Sequence, residues 1–370
     1  MASFDPQRIT PAVSLNRVQI VDLPGLAVDP EVRGQQSSQL VSLAVLARLV
    51  RQHADRLRLN PDVPDGELRL ALESCLVDER ATVRTAAERV GRRIGRNLGY
   101  ILLALKRGDA VNRAARSEWD DSYWQHWSKI KRVWLGGGLV SGRLGAVIPK
   151  HASVVIAEAG VSDYLVRVSP YASVLPLVGA ARYAPPGCKT ALVLDFGSTM
   201  VKRARAAYSE NELIELRCLP SRPTAWVEIE GPSDDPVQQA TELLHRMIFI
   251  IAEACQTIGL PAYGPVLACA AAYMRDGHPL PTQSGTYLTY LKLRRITDNA
   301  QRELAWRVGA RLGRAIDLRL IHDGTAAATA YAGMRDTAVI MVGTALGVGF
   351  PPRSDRLLEI NSQLAILGSD

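Results

Sequence analysis

Short apolar segments alternate with helical ones from Lys131 onward, and this alternation constrains the fold more than any other feature of the sequence. The segments typical of buried strands are Arg132–Leu135, Ser153–Ala157, Thr190–Leu194, Trp226–Ile229, Val266–Ala271, Leu318–Ile321 and Ala338–Val342. Apolar residues at helical spacing cover Val237–Ile258 and Asp298–Ala315 between them. Strands that alternate with helices predict an α/β protein.

The residues before Lys131 are predicted to be helical. Apolar spacing indicates helices at Ser38–Leu57, Glu67–Leu76 and Ala81–Lys106. The third of these carries glycine at four-residue intervals, at positions 91, 95 and 99. Glycine weakens a helix but lets its backbone approach a neighbour closely, so this helix is expected to pack tightly against another one.

Composition narrows the class of protein. An apolar content of 47% with 22% charged residues, over 370 residues, predicts a soluble globular chain of two domains. The sequence has no uncharged apolar stretch long enough for a membrane span, so none is expected. No secretory signal is visible. The five cysteines are scattered singly, so neither disulfides nor a zinc knuckle is expected and a reducing cytoplasm is the expected compartment. Much of the excess positive charge behind the net charge of +7 lies between residues 84 and 107, but no interleaved aromatic pattern or DNA-binding motif accompanies it, so a solvated face is favoured over nucleic-acid binding.

The segment Leu192–Lys202 is the first of four with chemical interest. An apolar strand ends in Asp195, and a turn of small residues follows, with Gly197, Ser198 and Thr199. Such a turn suits a polyphosphate–magnesium ligand, because its amides and hydroxyls can bind phosphate oxygens. Asp195 would hold hydrated Mg²⁺, and Lys202 would neutralise phosphate charge. The alternative is an ordinary hairpin turn.

Two further segments place glycines after a strand. In Ala338–Gly349 the turn contains Gly343, Thr344 and Gly347, which would form a second phosphate clamp. In Val133–Leu139 the run Gly136, Gly137 and Gly138 offers a flat backbone surface for an adenosine. The glycines that begin at Gly136 also fit a dinucleotide-binding GxGxxxG pattern that ends at Gly142. In that alternative Glu158, at the end of a later predicted strand, is the ribose-binding acid.

The fourth segment, Leu320–Ala330, delivers Asp323 to the start of a helix composed of small residues. Residues 177–181 form a matching small-residue helix after Pro176. Two such helices can cross at close range, as a hinge between domains requires. Asp323 is either a catalytic carboxylate or a helix cap.

Together the four segments resemble the superfamily of actin, hexokinase and the heat-shock chaperone ATPases, and within it the ROK sugar kinases. The resemblance implies a two-lobed, ribonuclease H-like fold with an ATP cleft between the lobes. Residues 195–202 match the first phosphate loop, residues 343–349 the second, and residues 136–138 the adenosine loop. Asp323 matches the catalytic base. The small-residue helices match the connecting helices at the hinge.

This chain departs from the ROK pattern around the acceptor. His322 stands where those kinases have asparagine, and their zinc-binding cysteines and Glu-x-Gly-His segment are absent. The loop of residues 274–279, with Asp276 and His278, falls where a substrate loop is expected, although a surface turn is the alternative. The identity of the acceptor therefore stays open.

The order of the segments predicts a circular permutation. In the superfamily the first phosphate loop precedes the second phosphate loop and the adenosine loop, whereas here the adenosine-like loop comes first. Joining the usual ends near Pro185-Pro186-Gly187, and cutting beyond the second phosphate loop, gives the present order. The predicted lobes are 1–175 plus 338–370 and 176–337, with residues 338–342 in the sheet of the first.

The function that this resemblance implies is phosphoryl transfer from ATP, with Mg²⁺, to a hydroxyl of a small molecule such as a sugar. The first alternative is a nucleotide-dependent switch or scaffold without catalysis. The second is an NAD(P)-dependent oxidoreductase that uses the Gly136–Gly142 pattern. No nucleic-acid or membrane partner is expected, and an oligomer is left open.

Overall fold

The computed structural model describes residues 4–224, 235–282 and 288–368. The helices are α1 Ser37–Leu40, α2 Leu43–Gln52, α3 Ala54–Leu57, α4 Asp65–Cys75, α5 Ala81–Arg107, α6 Ala110–Ala114, α7 Asp121–Lys129, α8 Leu144–Glu158, α9 Leu175–Ala181, α10 Pro236–Thr257, α11 Leu288–Leu291, α12 Ala300–Leu312 and α13 Asp323–Thr329. The strands are β1 Arg132–Gly136, β2 Leu165–Val168, β3 Thr190–Phe196, β4 Met200–Ser209, β5 Glu212–Pro223, β6 Val266–Ala270, β7 Met274–Arg275, β8 His278–Pro279, β9 Leu318–His322, β10 Thr337–Val342, β11 Leu346–Gly349 and β12 Glu359–Leu367. The predicted α/β class is confirmed.

The chain divides into two compact units. The first comprises Met1–Asp5, Ala12–Ser173 and Arg335–Val348, and the second comprises Pro6–Pro11, Val174–Met334 and Gly349–Asp370. The assignment of residues 349–370 to the first lobe was wrong. Strand β12 pairs with β5, and this pairing places the C-terminal segment in the second unit.

The sheet of the first unit has the order β11-β10-β1-β2. Strand β1 is parallel to both β10 and β2, with Val133 opposite Ala338 and opposite Val166. The predicted pairing of residues 338–342 with a sheet from the N-terminal half of the chain is therefore confirmed, although about 200 residues separate the two strands.

The second unit contains a sheet of six strands in the order β12-β5-β4-β3-β6-β9. Strands β3, β4 and β5 form an antiparallel meander, and β6 and β9 continue it in parallel with β3. Four neighbouring strands of this sheet, β4-β3-β6-β9, match the four strands β11-β10-β1-β2 of the first unit. In each set two hairpin strands lie next to two parallel strands that are reached by crossover connections.

Glycines allow the two principal helices of the first unit to pack closely, as the sequence predicts. Helix α5 lies against α8, and a Cβ atom at Gly95 would meet the carbonyl oxygen of Ile148 at 2.6 Å. A Cβ at Gly99 would meet that of Ala152 at 2.8 Å. Most residues of α5 are buried, and its partner α8 also contacts β2 of the sheet.

The predicted helix Ser38–Leu57 is interrupted twice. Val41 has extended backbone angles, and Ser42 begins α2 by accepting a hydrogen bond from the amide of Val45 at 3.3 Å. His53 ends α2, and α3 follows. The first interruption occurs because Ser42 competes for backbone hydrogen bonds within an otherwise helical pattern.

One predicted strand was wrong, and strands β2, β4, β5, β7, β8 and β12 were not predicted. Residues 153–157 lie inside α8, which continues through Pro149, and the strand of this region is β2 at Leu165–Val168. Valine and isoleucine in that segment favour a strand by propensity, but packing against α5 makes them helical. The predicted strand Trp226–Ile229 lies outside the described residues.

The small-residue helices α9 and α13 pack against each other in the second unit. A Cβ atom at Gly179 would overlap the carbonyl oxygen of Ala326, so only glycine permits this crossing. The predicted close approach of these helices is confirmed. In the described residues no helix is long and apolar enough to span a membrane.

Candidate functional site

Two carboxylates lie at the same edge of the second unit's sheet. Asp195 is the penultimate residue of β3, and Asp323 follows directly after β9. The register places Asp195 opposite Cys269 on β6, and Cys269 opposite Ile321 on β9. Because these three strands are parallel, their carboxyl ends meet at one edge, where ligands of open α/β sheets bind.

Asp195 is buried, with 8% of its surface exposed. Burial raises the pKa of this carboxyl, since removal from water disfavours its charged form, while the charge of Lys202 acts in the opposite direction. Lys202 lies opposite Asp195 in the β3–β4 pairing. The thiol of Cys269 donates to Oδ1 of Asp195 over 3.6 Å. The predicted neighbours Asp195 and Lys202 are thus placed together.

Asp323 shares this environment. Burial, followed by the charge of Asp195, raises its pKa to about 8. Its Oδ1 accepts a hydrogen bond of 2.7 Å from the amide of Gly324, at the first turn of α13. The charge of Asp195 thus contributes to the raised pKa of Asp323.

His322 lies beside the second carboxylate. Its Nδ1 accepts a hydrogen bond of 3.2 Å from the amide of Thr325, so the ring proton resides on Nε2. Nε2 lies 3.2 Å from Oδ1 of Asp323, a contact without hydrogen-bond geometry. The ring is stacked on Tyr273 at 4.6 Å, and burial lowers its pKa to about 3, so the imidazole stays neutral. His322 thus contacts the candidate base itself.

The turn after Asp195 is held by two side chains that the sequence did not indicate. The carbonyl oxygen of Gly197 accepts hydrogen bonds from Oγ1 of Thr224 at 2.8 Å and from the hydroxyl of Tyr290 at 3.0 Å. Ser198 and Thr199 are exposed beyond it. Because Tyr290 is 93 residues away in sequence and carries no local motif, only the folded chain reveals this contact.

The two glycine segments of the first unit meet each other. Gly137 has a φ of +96°, and a Cβ there would lie 2.6 Å from the carbonyl oxygen of Val342. Gly136 ends β1, and Gly138 has open space where a Cβ would be. On the neighbouring strand Gly343 and the exposed Thr344 form the turn after β10. Gly347 is buried in β11, beyond that turn.

The geometry at α8 does not suit the dinucleotide alternative. The ribose-binding acid of that pattern should end a strand, but Glu158 ends α8 and pairs with Arg96 at 3.2 Å. Oε2 of Glu73 accepts a hydrogen bond of 2.9 Å from the amide of Arg143. A carboxylate of the protein therefore occupies the helix N-terminus where a pyrophosphate would bind.

The expected substrate loop is a tight hairpin. Asp276 and Gly277 have φ values of +49° and +74°, as in a two-residue turn, and they join β7 to β8. The amide of Gln301 donates to Gly277 at 3.0 Å, and burial lowers the pKa of the nearby His278. Asp276 and His322 line one cavity of about 740 Å³ in this unit.

The donor set fits magnesium better than a transition metal. Among the described residues, there is no cluster of three or more His, Cys, Asp or Glu side chains that could hold a metal ion. Mg²⁺ needs only one or two carboxylates because it keeps most of its waters. Asp195 and Asp323 supply such a pair, and a cation would offset the cost of burying both charges.

Comparisons with family models and curated proteins found no relative of this chain. No protein-family model matches the chain, and no curated protein is significantly similar to it.

Proposed function

We propose that this chain binds ATP with Mg²⁺ and transfers the γ-phosphoryl group to a hydroxyl of a small molecule. The observation that carries the proposal is the placement of two carboxylates, Asp195 and Asp323, at the carboxyl ends of parallel strands and beside a glycine turn. Phosphoryl transfer needs little covalent chemistry from a protein, so cation binding, phosphate positioning and one proton acceptor are sufficient.

The strand order supports the finer proposal of a permuted actin-like fold. In the second unit the hairpin strands β3 and β4 precede the crossover strands β6 and β9 along the chain. In the first unit the corresponding crossover strands β1 and β2 precede the hairpin strands β10 and β11. The same arrangement of four strands is therefore traced in two different chain orders, which a circular permutation explains directly. The proposed join at Pro185-Pro186-Gly187 is a turn before β3.

Each residue has a defined task in this proposal. Asp195 binds the waters of Mg²⁺, and the exposed Ser198 and Thr199 offer amides and hydroxyls to phosphate oxygens. By the resemblance to the actin and hexokinase superfamily, Gly343 and Thr344 would offer a second set, and Gly136–Gly138 would contact the adenosine. Asp323 accepts the proton of the attacking hydroxyl, and the neutral imidazole of His322 lies beside it. Bound Mg²⁺ supplies the positive charge that keeps both carboxylates ionised near neutral pH.

A melting experiment with Mg-ATP tests nucleotide binding. The parent protein should be stabilised by Mg-ATP, and Asp195→Ala should lose that stabilisation while its ligand-free form stays folded. Asp355→Ala removes an exposed carboxylate of the same unit and serves as the matched control. If Asp195→Ala is stabilised as much as the parent, the proposed magnesium site is wrong.

Turnover over a panel of hydroxylated metabolites tests the chemistry. Any acceptor whose phosphorylation by the parent is lost in Asp323→Asn supports the kinase.

The raised pKa of Asp323 favours one competing function, a nucleotide-dependent switch, since a carboxyl that is protonated near pH 7 cannot accept a proton. ATP binding without phosphorylation of any acceptor would support this second candidate, a nucleotide-dependent switch.

A further inference from the structure

A basic surface of the second unit lies outside the candidate site. Residues 292–314 include six arginines and one lysine but only two carboxylates. Arg302 and Arg311 are exposed on α12, and Arg295 is exposed in the 3₁₀ turn Lys292–Arg295 before it. Within the described part of the chain these three arginines form no ion pair. Their charge is therefore available to an anionic partner.

The basic helix α5 of the first unit has a different environment. There Arg93 pairs with Asp29 at 3.1 Å, and Arg96 pairs with Glu158 at 3.2 Å. Such pairs neutralise part of the charge that the sequence places on α5. In spite of a similar number of basic residues, α5 offers less unpaired charge than residues 292–314 do.

The most exposed aromatic side chains of the described residues lie in the same region. They are Tyr263, Trp306 and Phe249, with 98%, 66% and 37% of their surface exposed. Trp306 follows Arg302 by four residues, so the two side chains are neighbours on the exposed face of α12. An exposed aromatic ring offers a flat face on which another planar group can stack.

Two contacts join these groups into one continuous surface. Helix α10 packs against α12, and the guanidinium of Arg311 lies 5.5 Å from the ring centre of Phe249 on α10. Just beyond α12, Arg314 donates to the carbonyl oxygen of Pro261 at 2.7 Å, which ties the loop that carries Tyr263 to the end of α12. Cationic and aromatic groups are therefore interleaved. We call this the α10–α12 surface.

The arrangement suits single-stranded nucleic acid better than a membrane or a duplex. The apolar face of α12, with Leu304 and Val308, is buried within the unit, so it cannot enter a bilayer. The bases of a duplex are stacked on one another. Unpaired bases, in contrast, can stack on exposed aromatic rings while arginines bind the phosphates.

We infer that the α10–α12 surface binds single-stranded nucleic acid without sequence preference, with bases stacked on Trp306 and phosphates bound by Arg302 and Arg311. None of these residues belongs to the candidate phosphate or adenosine loops, so this binding does not depend on the proposed kinase. The sequence-based expectation of no nucleic-acid partner rests on residues 84–107, which form a different surface.

Fluorescence anisotropy of the full chain with a labelled oligothymidine of about 20 nucleotides tests the binding. The dissociation constant should be about 100 μM or tighter near physiological salt. Raising the salt concentration from about 50 mM to about 200 mM should weaken binding at least about tenfold, because bound phosphates release counterions.

Two variants separate stacking from charge. Trp306→Ala should weaken binding about fivefold to hundredfold and leave the salt dependence unchanged, because it removes a ring and no charge. Replacing Arg302 and Arg311 together by alanine should lower the slope of log affinity against log salt by about 0.7 for each arginine. Leu70→Ala and Arg92→Ala, at exposed positions on α4 and α5, are the matched controls and should bind as the parent does.

Competition identifies the class of partner. Unlabelled single strand should displace the labelled strand, whereas a duplex, poly-glutamate or phosphatidylserine vesicles of equal total charge should displace much less. Equal displacement by any of the three, or unchanged affinity in Trp306→Ala, overturns the inference.

A last pair of measurements separates this binding from the kinase proposal. Asp195→Ala should lose Mg-ATP binding and retain the oligonucleotide. Saturating Mg-ATP should leave the oligonucleotide bound to the parent. If Mg-ATP displaces it completely, the oligonucleotide occupies the nucleotide site and the α10–α12 surface is not its binding site.

Discussion

The two sheets share one arrangement of strands but end those strands in different chemistry. In the first unit β1 and β10 run into glycine turns, with exposed backbone and the hydroxyl of Thr344. In the second unit β3 and β9 run into carboxylates, the buried Asp195 and the half-buried Asp323. One topology therefore supports a neutral, backbone-lined end and an acidic end. In the proposed function the two ends have separate tasks, which are nucleotide contacts for the neutral end and cation and proton chemistry for the acidic one.

The largest expected effect tests the acidic end. Asp323→Asn keeps the shape of the side chain but removes the proton acceptor, so kcat for any accepted hydroxyl compound should fall by roughly two to four orders of magnitude. The affinity for ATP should change little, because this carboxylate acts on the acceptor. Steady-state kinetics and ATP titration measure the two quantities separately. Loss of ATP affinity in this variant would mean that Asp323 is structural.

The next largest effect concerns stability at the neutral end, where Gly137 lies against the backbone of Val342. Gly137→Ala places a Cβ 2.6 Å from the carbonyl oxygen of Val342 and strains a φ of +96°. We expect a loss of about 2–5 kcal/mol in the free energy of unfolding. Gly138→Ala is the matched control, because a Cβ at that position meets no atom within 4 Å. Urea denaturation measures both variants, and equal stabilities would contradict the described contact between the two turns.

These two ends also show which parts of the structure the sequence could predict. Local patterns were sufficient for the strands that end at Asp195, Asp323 and Gly136, since an apolar run before a turn is visible in the sequence itself. Tyr290, which holds the turn at Gly197, carries no such signal. The same is true of Glu73 at α8, because its contact with Arg143 spans 70 residues. The strand predicted at residues 153–157 failed because packing between α5 and α8 outweighed β-propensity.

The equivalence of the two sheets was invisible for a related reason. Strand order is shared between them, but their residues are not, and the chain passes through the two sheets in different orders. The C-terminal strand β12 was assigned to the wrong lobe because proximity in sequence to β10 suggested a common sheet. Its partner β5 lies more than 100 residues earlier in the chain.

A smaller effect concerns the pH dependence of the acidic end. The pKa of Asp323 is about 8 in the folded protein against 3.8 for an ordinary aspartate, so folding favours the protonated form. That stabilisation is complete below pH 3.8 and is lost as the pH rises towards 8. Asparagine does not titrate. The stability gained by Asp323→Asn in magnesium-free buffer should therefore grow with pH, by up to about 1 kcal/mol per unit.

Melting curves between about pH 4 and pH 9, with a chelator present, measure this gain. Asp355→Asn alters an exposed carboxyl, and its effect should not follow the same trend. Added Mg²⁺ should reduce the gain, because the cation stabilises the ionised carboxylate of the parent. A gain for Asp323→Asn that stays constant with pH would show that Asp323 is ionised in the folded protein without a cation.

The smallest expected effect separates binding from stability at the neutral end. Thr344 is exposed in the turn after β10, so Thr344→Ala should change the free energy of unfolding by less than about 0.5 kcal/mol. Its hydroxyl is proposed to bind a phosphate oxygen, and the loss of one such hydrogen bond should weaken Mg-ATP binding about threefold to tenfold. Thr82→Ala, at an exposed position on α5, should leave the affinity unchanged. Titration calorimetry at constant magnesium resolves a difference of this size. If Thr344→Ala and Thr82→Ala bind Mg-ATP equally well, the turn at Gly343 is a plain hairpin, and the nucleotide contacts must come from the second unit.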